Sequence, residues 1–340
     1  MRVGVAHVAG RYTWPSGSGT QFSDGCDAIW GLGLRMVKLY CTKNYLTDYP
    51  LQTSWSSVPT SLKTLAQTTQ FTTQLSRAWG TVILTCFTFA NGATNWWRAD
   101  VNQSLLDAEY TEMRNLAEHL LSTYSGTGRE FILQTWEGDW AFMDSFTVDT
   151  YVDRQIVDRY AAFLGTRIRA VRDARAAVAS DCKVLCAYEA NRVLDARTKP
   201  HLRRLLRDLS AKVQPDVISY SAYDSTIVDQ GGWGATFDAW KAATVPAFSK
   251  ALRELQLCYP GVPISIGEFG FPEGPELPPG RDVGAMIRVI SDVAKSYGVK
   301  WLTYWEVFDN EEYSPGVPRG FYTHKPGGAL SVAGTTLPTL

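Results

Sequence analysis

Histidine is scarce in this sequence, net charge is almost nil, and long apolar runs are missing. Each scarcity removes a class of function. The four histidines, His7, His119, His201 and His324, stand far apart in 340 residues. A metal-dependent barrel hydrolase would cluster them, often as His-x-His on a first strand, so no metal centre is expected. The formal net charge is -1, from 33 basic and 34 acidic residues. That balance gives no electrostatic reason to bind nucleic acid or an anionic membrane. No apolar run approaches the roughly 18 residues of a transmembrane helix. Six cysteines are present, but Cys182 and Cys186 have no second pair at ligand spacing, which argues against a zinc ribbon. Cys86 and Cys186 lie inside apolar runs and read as buried thiols. The opening Met1-Arg2-Val3-Gly4-Val5 reads as a strand and not as a leader peptide, and secreted and cytoplasmic locations both stay open. Nucleotide motifs are missing too. The segment His7-Val8-Ala9-Gly10-Arg11-Tyr12-Thr13-Trp14 holds no GxGxxG, and Gly17 and Gly19 come too late to form one. Neither a Walker A sequence nor a GxSxG elbow occurs, and no cofactor is expected.

What is present is an alternation. Short apolar, β-branched runs fall at 3–8, 35–40, 81–89, 131–136, 183–188, 217–223, 263–268 and 301–305. Several are continuously apolar, as strands covered on both faces should be. Between them, stretches at 105–124, 151–178, 202–213, 240–257 and 283–297 carry apolar residues at three- and four-residue steps. The second of these is expected to break near Gly165. The third should turn Arg203, Arg204 and Arg207 to solvent. Thr147 and Asp282 read as N-caps. Eight strands with helices after most of them predict an α/β fold, a closed (β/α)8 barrel, as one catalytic domain over 1–340. The segments after strands are long and rich in Trp, Asn, Gly and acidic residues, and in such barrels those loops build the site. The tail from 313 to 340 is expected to close the barrel beside the first strand. Tryptophan is abundant, at 12 residues, which suits stacking on the apolar faces of sugar rings.

Two of the strands deliver a glutamate at their C-terminal ends. The fourth ends Gln134-Thr135-Trp136-Glu137 and the seventh ends Ser265-Ile266-Gly267-Glu268. Two carboxylates facing one cleft meet the requirement for glycosidic cleavage: one protonates the leaving oxygen, the other attacks the anomeric carbon or activates water. A pair about 5 Å apart gives retention, and a wider pair inversion. Trp136 and Trp140 can supply the apolar cover that raises the pKa of the acid.

In these strands the sequence resembles clan A of the glycoside hydrolases, which includes cellulases, mannanases and β-galactosidases. The seventh strand, SIGEFGFP, is similar to the clan's nucleophile strand, and Tyr304-Trp305-Glu306-Val307-Phe308-Asp309 to its eighth. The resemblance implies a retaining mechanism with Glu137 as acid/base and Glu268 as nucleophile. It implies Trp305 as a platform under the sugar, and Tyr223, in Tyr220-Ser221-Ala222-Tyr223, as the tyrosine that bonds the nucleophile. Arg319-Gly320-Phe321-Tyr322, followed by Ala329-Leu330-Ser331, resembles the turn after the eighth strand. The expected partner is an oligo- or polysaccharide, with a β-linkage. One position departs from the clan: Trp136 stands where an Asn that bonds the sugar 2-hydroxyl is usual, and Asn191 is a candidate to take over a polar contact.

His7, Glu189 and Glu306 are further candidates for substrate contact, although each can equally be a satisfied structural group. Asp139 competes with Glu137 for the acid role. Trp96 and Trp97 read as subsite walls or as a packed lid. A degenerate, non-catalytic sugar-binding barrel is the competing function. Its expected mark is the loss of one carboxylate.

Overall fold

The computed structural model describes residues 1–13, 19–91, 95–99, 101–228 and 232–340; Trp14 and Gly17 lie outside them. Eight parallel strands follow one another round a closed barrel: β1 (Arg2–His7), β2 (Met36–Thr42), β3 (Thr81–Phe87), β4 (Glu130–Gln134), β5 (Lys183–Ala190), β6 (Val217–Ser221), β7 (Ile264–Phe269) and β8 (Trp301–Tyr304). The ring closes where β1 pairs with β8, in the register Val3 with Leu302 and Val5 with Tyr304.

Period-two alternation sorts each strand into an outer and an inner row. Val37, Leu39, Val82, Leu84, Phe131 and Leu133 belong to the large core that the surrounding helices complete. Met36, Ile83, Ile132, Ala187, Val217 and Trp301, one from each of six strands, form a separate apolar cluster. Two residues further along the same rows, the chemistry changes to Lys38, Thr85, Gln134, Glu189, Ser219 and Thr303, all buried. The barrel interior therefore runs from an apolar plug to a polar belt beneath the C-terminal ends of the strands.

The helices present aliphatic ridges to the outer row. Gln103–Thr123 buries Met113, Leu116, Ala117 and Leu120, with Asn102 capping the backbone N–H of Leu105. Each such Leu or Met contributes about 1.5–3 kcal/mol relative to exposure. This helix packs beside Arg154–Ala177, and Arg167 Nε donates to Glu109 Oε1 at 2.7 Å between them, both buried. No helix among the described residues is long and apolar enough to cross a membrane.

Some local expectations need correction. The helix Arg154–Ala177 passes through Gly165 without a break, and Asp153, not Thr147, stands at its N-cap. The 202–213 stretch yields only the short helix Leu205–Leu209. Arg204 is fully buried, with its Nε 3.1 Å from Asp195 Oδ2, so charge pairing rather than solvation explains it. Asp282 does cap Val283–Ser296, accepting from the N–H of Ala285.

Candidate active site

A cleft of about 740 Å³ opens over the C-terminal ends of the strands, lined by both strand-end glutamates, Glu137 and Glu268, together with Trp136, Trp140, Tyr223, Asn191 and Trp305. This is a size and an aromatic lining suited to a small-molecule ligand.

Glu137 lies three residues past the end of β4 and stands at the N-cap of the short helix Gly138–Met143. The turn is tight: a Cβ on Gly138 would strike the Leu205 side chain and the Glu189 carbonyl. Glu137 Oε1 accepts from Ser221 Oγ at 2.6 Å. Burial, and then the Glu268 charge, push the Glu137 carboxyl well above the usual carboxylate range, with the Ser221 bond opposing.

Glu268 stands on β7 itself and is 3% exposed. Burial raises its pKa to about 7, opposed by Lys38 and reinforced by Glu189. Lys38 is the main residue missed in the sequence. Its Nζ lies 2.8 Å from Glu268 Oε1, 3.3 Å and 3.5 Å from the two carboxylate oxygens of Glu189, and 3.1 Å from the Gly267 carbonyl. Burial alone would discharge this ammonium, but Glu189 and Glu268 outweigh it and raise its pKa. The signal was present: a lysine inside the apolar strand MVKLYCT must find a buried counter-charge. Ser221 was missed as well, although it ends β6 beside Tyr223.

Tyr223 lines the cleft, and its hydroxyl is held well above its ordinary pKa by burial and by the charges of Glu268 and Glu137. Glu268 nevertheless takes its hydrogen bond from Lys38 and not from Tyr223. Trp305 is 9% exposed and lines the cleft. Trp140 packs against the rim residue Phe146 at 5.7 Å between ring centroids, with the Arg192 guanidinium over its other neighbourhood at 5.8 Å.

Asn191 is buried, and its amide is oriented by its surroundings. Its Oδ1 accepts from the Asp139 N–H at 2.9 Å, and its Nδ2 is buried without a hydrogen-bond partner among the described residues. Asp139 accepts from the backbone N–H groups of Asn191, Arg192 and Leu205 at 2.9–3.0 Å and is 1% exposed. It ties the β4 and β5 loops together through these bonds.

His7, Glu189 and Glu306 are all fully buried, and none of the three is among the residues that line the cleft. His7 Nε2 donates to the Gln21 carbonyl at 2.9 Å, and burial lowers the imidazole pKa to about 4. Burial, then Asp309, drives the Glu306 carboxyl well up, and its Oε1 accepts from the Asn310 N–H at 3.0 Å. Glu189 belongs to the polar belt. Of the lid tryptophans, Trp96 packs on Phe163 and Trp97 on Tyr160 and Phe163. They do not line the main cleft. Trp97 does border a smaller aromatic cavity of about 260 Å³ that shares Trp136, Trp140 and Phe146 with it.

No protein-family model matches the chain, and no curated protein matches it in sequence. Solved structures do match in shape. A glycoside hydrolase family 5 variant from Streptomyces cattleya, in complex with Manβ1-4GlcNAc, superposes with a TM-score of 0.64 at 14% identity, covering 99% of this chain and 79% of its own. A broad-specificity family 5 endoglucanase from Clostridium acetobutylicum gives 0.59 at 14% identity, over 99% and 96% of the two chains. An endo-β-1,4-glucanase from Xanthomonas axonopodis pv. citri gives 0.55 at 12% identity, over 99% and 97%. At these identities the likeness is one of fold: the chain is an eight-stranded parallel barrel of the kind found in the family 5 glycoside hydrolases of clan A.

Proposed function

We propose that the protein is a glycoside hydrolase that cleaves a β-linked oligo- or polysaccharide with retention, as a single catalytic barrel over 1–340. The observation that carries this reading is a pair of carboxylates, one after β4 and one on β7, in one tryptophan-lined cleft, with a lysine ammonium on Glu268. Their environments separate the two roles. Glu137, desolvated and bonded by the neutral Ser221 hydroxyl, keeps its proton and acts as the acid. Glu268, opposite Lys38, is ionised and acts as the nucleophile.

In the first step Glu268 attacks the anomeric carbon and the glycosidic C–O bond breaks. Its electron pair goes to the leaving oxygen, which takes the proton of Glu137. In the second, water attacks the same carbon, gives a proton to Glu137, and the ester bond to Glu268 breaks. Trp305, Trp136 and Trp140 provide apolar faces for sugar rings, with Tyr223 beside both carboxylates. Asn191, which lines the cleft, is the candidate for the polar contact that Trp136 cannot make. His7, Glu189 and Glu306 have no direct contact with substrate in this scheme.

The structural neighbours, an endo-β-1,4-glucanase and a Manβ1-4GlcNAc complex among them, direct the substrate choice to β-1,4-linked gluco- and manno-oligosaccharides. The test uses 2,4-dinitrophenyl β-glucoside, β-cellobioside and β-mannoside. Turnover with a β-anomer as first product, and a 2-fluoro-sugar adduct on the peptide containing Glu268, are expected. An α-anomer as first product would mean inversion. Sugar binding without turnover of any of the three would favour the non-catalytic barrel, the reading that Trp136 keeps in play.

A further inference from the structure

The cation beneath the nucleophile has two carboxylate partners, and one of them takes no part in the chemistry above. Glu189 is sealed from the cleft yet surrounded by donors: Ser219 Oγ at 2.8 Å, Gln134 Nε2 at 3.3 Å and Lys38 Nζ at 3.3 Å. The fold makes room for it. A Cβ on Gly267, the residue before the nucleophile, would overlap Glu189 Oε2 and Ser219 Oγ. Such a buried, fully satisfied carboxylate is costly to assemble, and well-packed apolar residues are often as stable.

We propose that Glu189 is a positioning residue that keeps Lys38 neutralised while Glu268 is covalently occupied. This rests on Glu268 being the nucleophile. At rest, one ammonium faces two carboxylates. When Glu268 attacks the anomeric carbon, its negative charge is consumed in the new ester bond and the electron pair of the broken bond leaves with the protonated oxygen. An ammonium paired with Glu268 alone would then be buried without a counter-charge, which is strongly unfavourable. With Glu189 present, Lys38 passes from sharing two carboxylates to holding one, and remains satisfied in both states. The same negative charge keeps Lys38 from over-stabilising the Glu268 carboxylate, so the nucleophile stays reactive.

The groups facing Glu268 are Lys38 and Tyr40 from β2, Glu137 after β4, Glu189 on β5, Tyr223 after β6, and Glu306 and Glu311 after β8. Among them Glu189 is the carboxylate that meets the nucleophile through a shared cation.

The experiment compares wild-type, Glu189→Gln and Glu189→Asp protein on whichever 2,4-dinitrophenyl β-glycoside the wild type turns over. Glu189→Gln keeps the shape and removes the charge. Lys38 then opposes Glu268 alone, so the acid limb of kcat/KM is expected to move to lower pH by roughly one unit. The glycosylation rate constant is expected to fall by about tenfold, the equivalent of one such unit. Deglycosylation, which restores the counter-charge, is not slowed. Any pre-steady-state burst of dinitrophenol therefore shrinks or vanishes. Glu189→Asp, which retains the charge, keeps the wild-type acid limb. Equal slowing of both steps with an unmoved acid limb in Glu189→Gln would overturn the proposal and leave Glu189 a packing group. A Glu189→Asp variant that shifts as Glu189→Gln does would overturn it too. A wild-type protein inert on every glycoside removes the functional reading and this inference with it, whereas an active wild type that loses turnover in Glu268→Ala isolates the inference for judgement.

Discussion

The two cleft carboxylates keep different company: Glu137 is half-buried and Glu268 is buried. Glu137 sits at the mouth of a short helix with one neutral donor, Ser221, on its carboxyl. Glu268 sits on a strand, over a polar belt whose lysine reaches it at 2.8 Å. Burial pushes both groups upward, Glu137 well above its ordinary range and Glu268 to about 7. What differs is the counter-charge from below. Desolvation alone makes two weak acids, and in the proposed mechanism a single cation on one side sorts them into an acid and a nucleophile. The asymmetry is carried by the barrel interior, through the Lys38 ammonium beneath Glu268.

The largest expected effect comes from removing the cation-held partner. Glu268→Ala should lower kcat by at least about four orders of magnitude while leaving the melting temperature close to wild type, because no attacking group remains. Retained turnover would dissolve the comparison altogether. Glu137→Ala should be milder, about 10²–10⁴-fold on a glycoside with a poor leaving group. The loss should be much smaller in the first step with dinitrophenol, which leaves without a proton. If both leaving groups suffered equally, Glu137 would not be the acid. Lys38→Met tests the source of the asymmetry. Two buried carboxylates would lose their shared counter-charge, at a cost of about 3–5 kcal/mol in stability at neutral pH. The acid limb of activity should move upward, as Glu268 becomes harder to ionise. A downward shift would mean that Lys38 does not set the charge of Glu268.

The barrel was legible from the sequence because both-face burial writes continuous apolar strands, and helices between them write a different period. That Glu137, Glu268, Trp305 and the cleft tryptophans would meet in one cleft was legible for a related reason: a strand end fixes which face of the barrel a residue meets. The belt was not legible. Glu189 and Glu306 follow apolar runs just as Glu137 does, and nothing in a linear string says whether such a carboxylate meets solvent or a lysine across the barrel. Lys38 and Glu189 are 151 residues apart in sequence. His7 illustrates the same limit, since its place against Tyr49 and Phe22 depends on how the first helix packs on β1. Arg204 was misassigned for the converse reason: helical spacing predicts a face, and a buried Asp195 from another segment decided the matter.

His7 gives the pH dependence of stability a separate handle. Its folded pKa of about 4 lies below the ordinary 6.5, so the unfolded chain binds the proton first. Its contribution is full above pH 6.5 and is lost as pH falls from there towards 4. The loss is about 3 kcal/mol, from about 1.4 kcal/mol per pKa unit. His7→Phe should flatten that part of a melting-temperature profile, without moving the acid limb of activity. A profile unchanged by the substitution would mean that the imidazole is not held neutral.

The smallest expected effect comes from the one neutral donor on the other side of the comparison. The Ser221 hydroxyl stabilises the ionised form of Glu137 and so holds its pKa down. Ser221→Ala removes a bond worth about 0.5–1.5 kcal/mol, which corresponds to at most about one pKa unit. The sign is upward: the alkaline limb of kcat/KM should move to higher pH, with only a few-fold change in rate at the optimum. The acid limb, set by Glu268 and Lys38, should not move. A variant that moved both limbs together would show that the two carboxylates titrate as one group, and that the cation under Glu268 does not separate them.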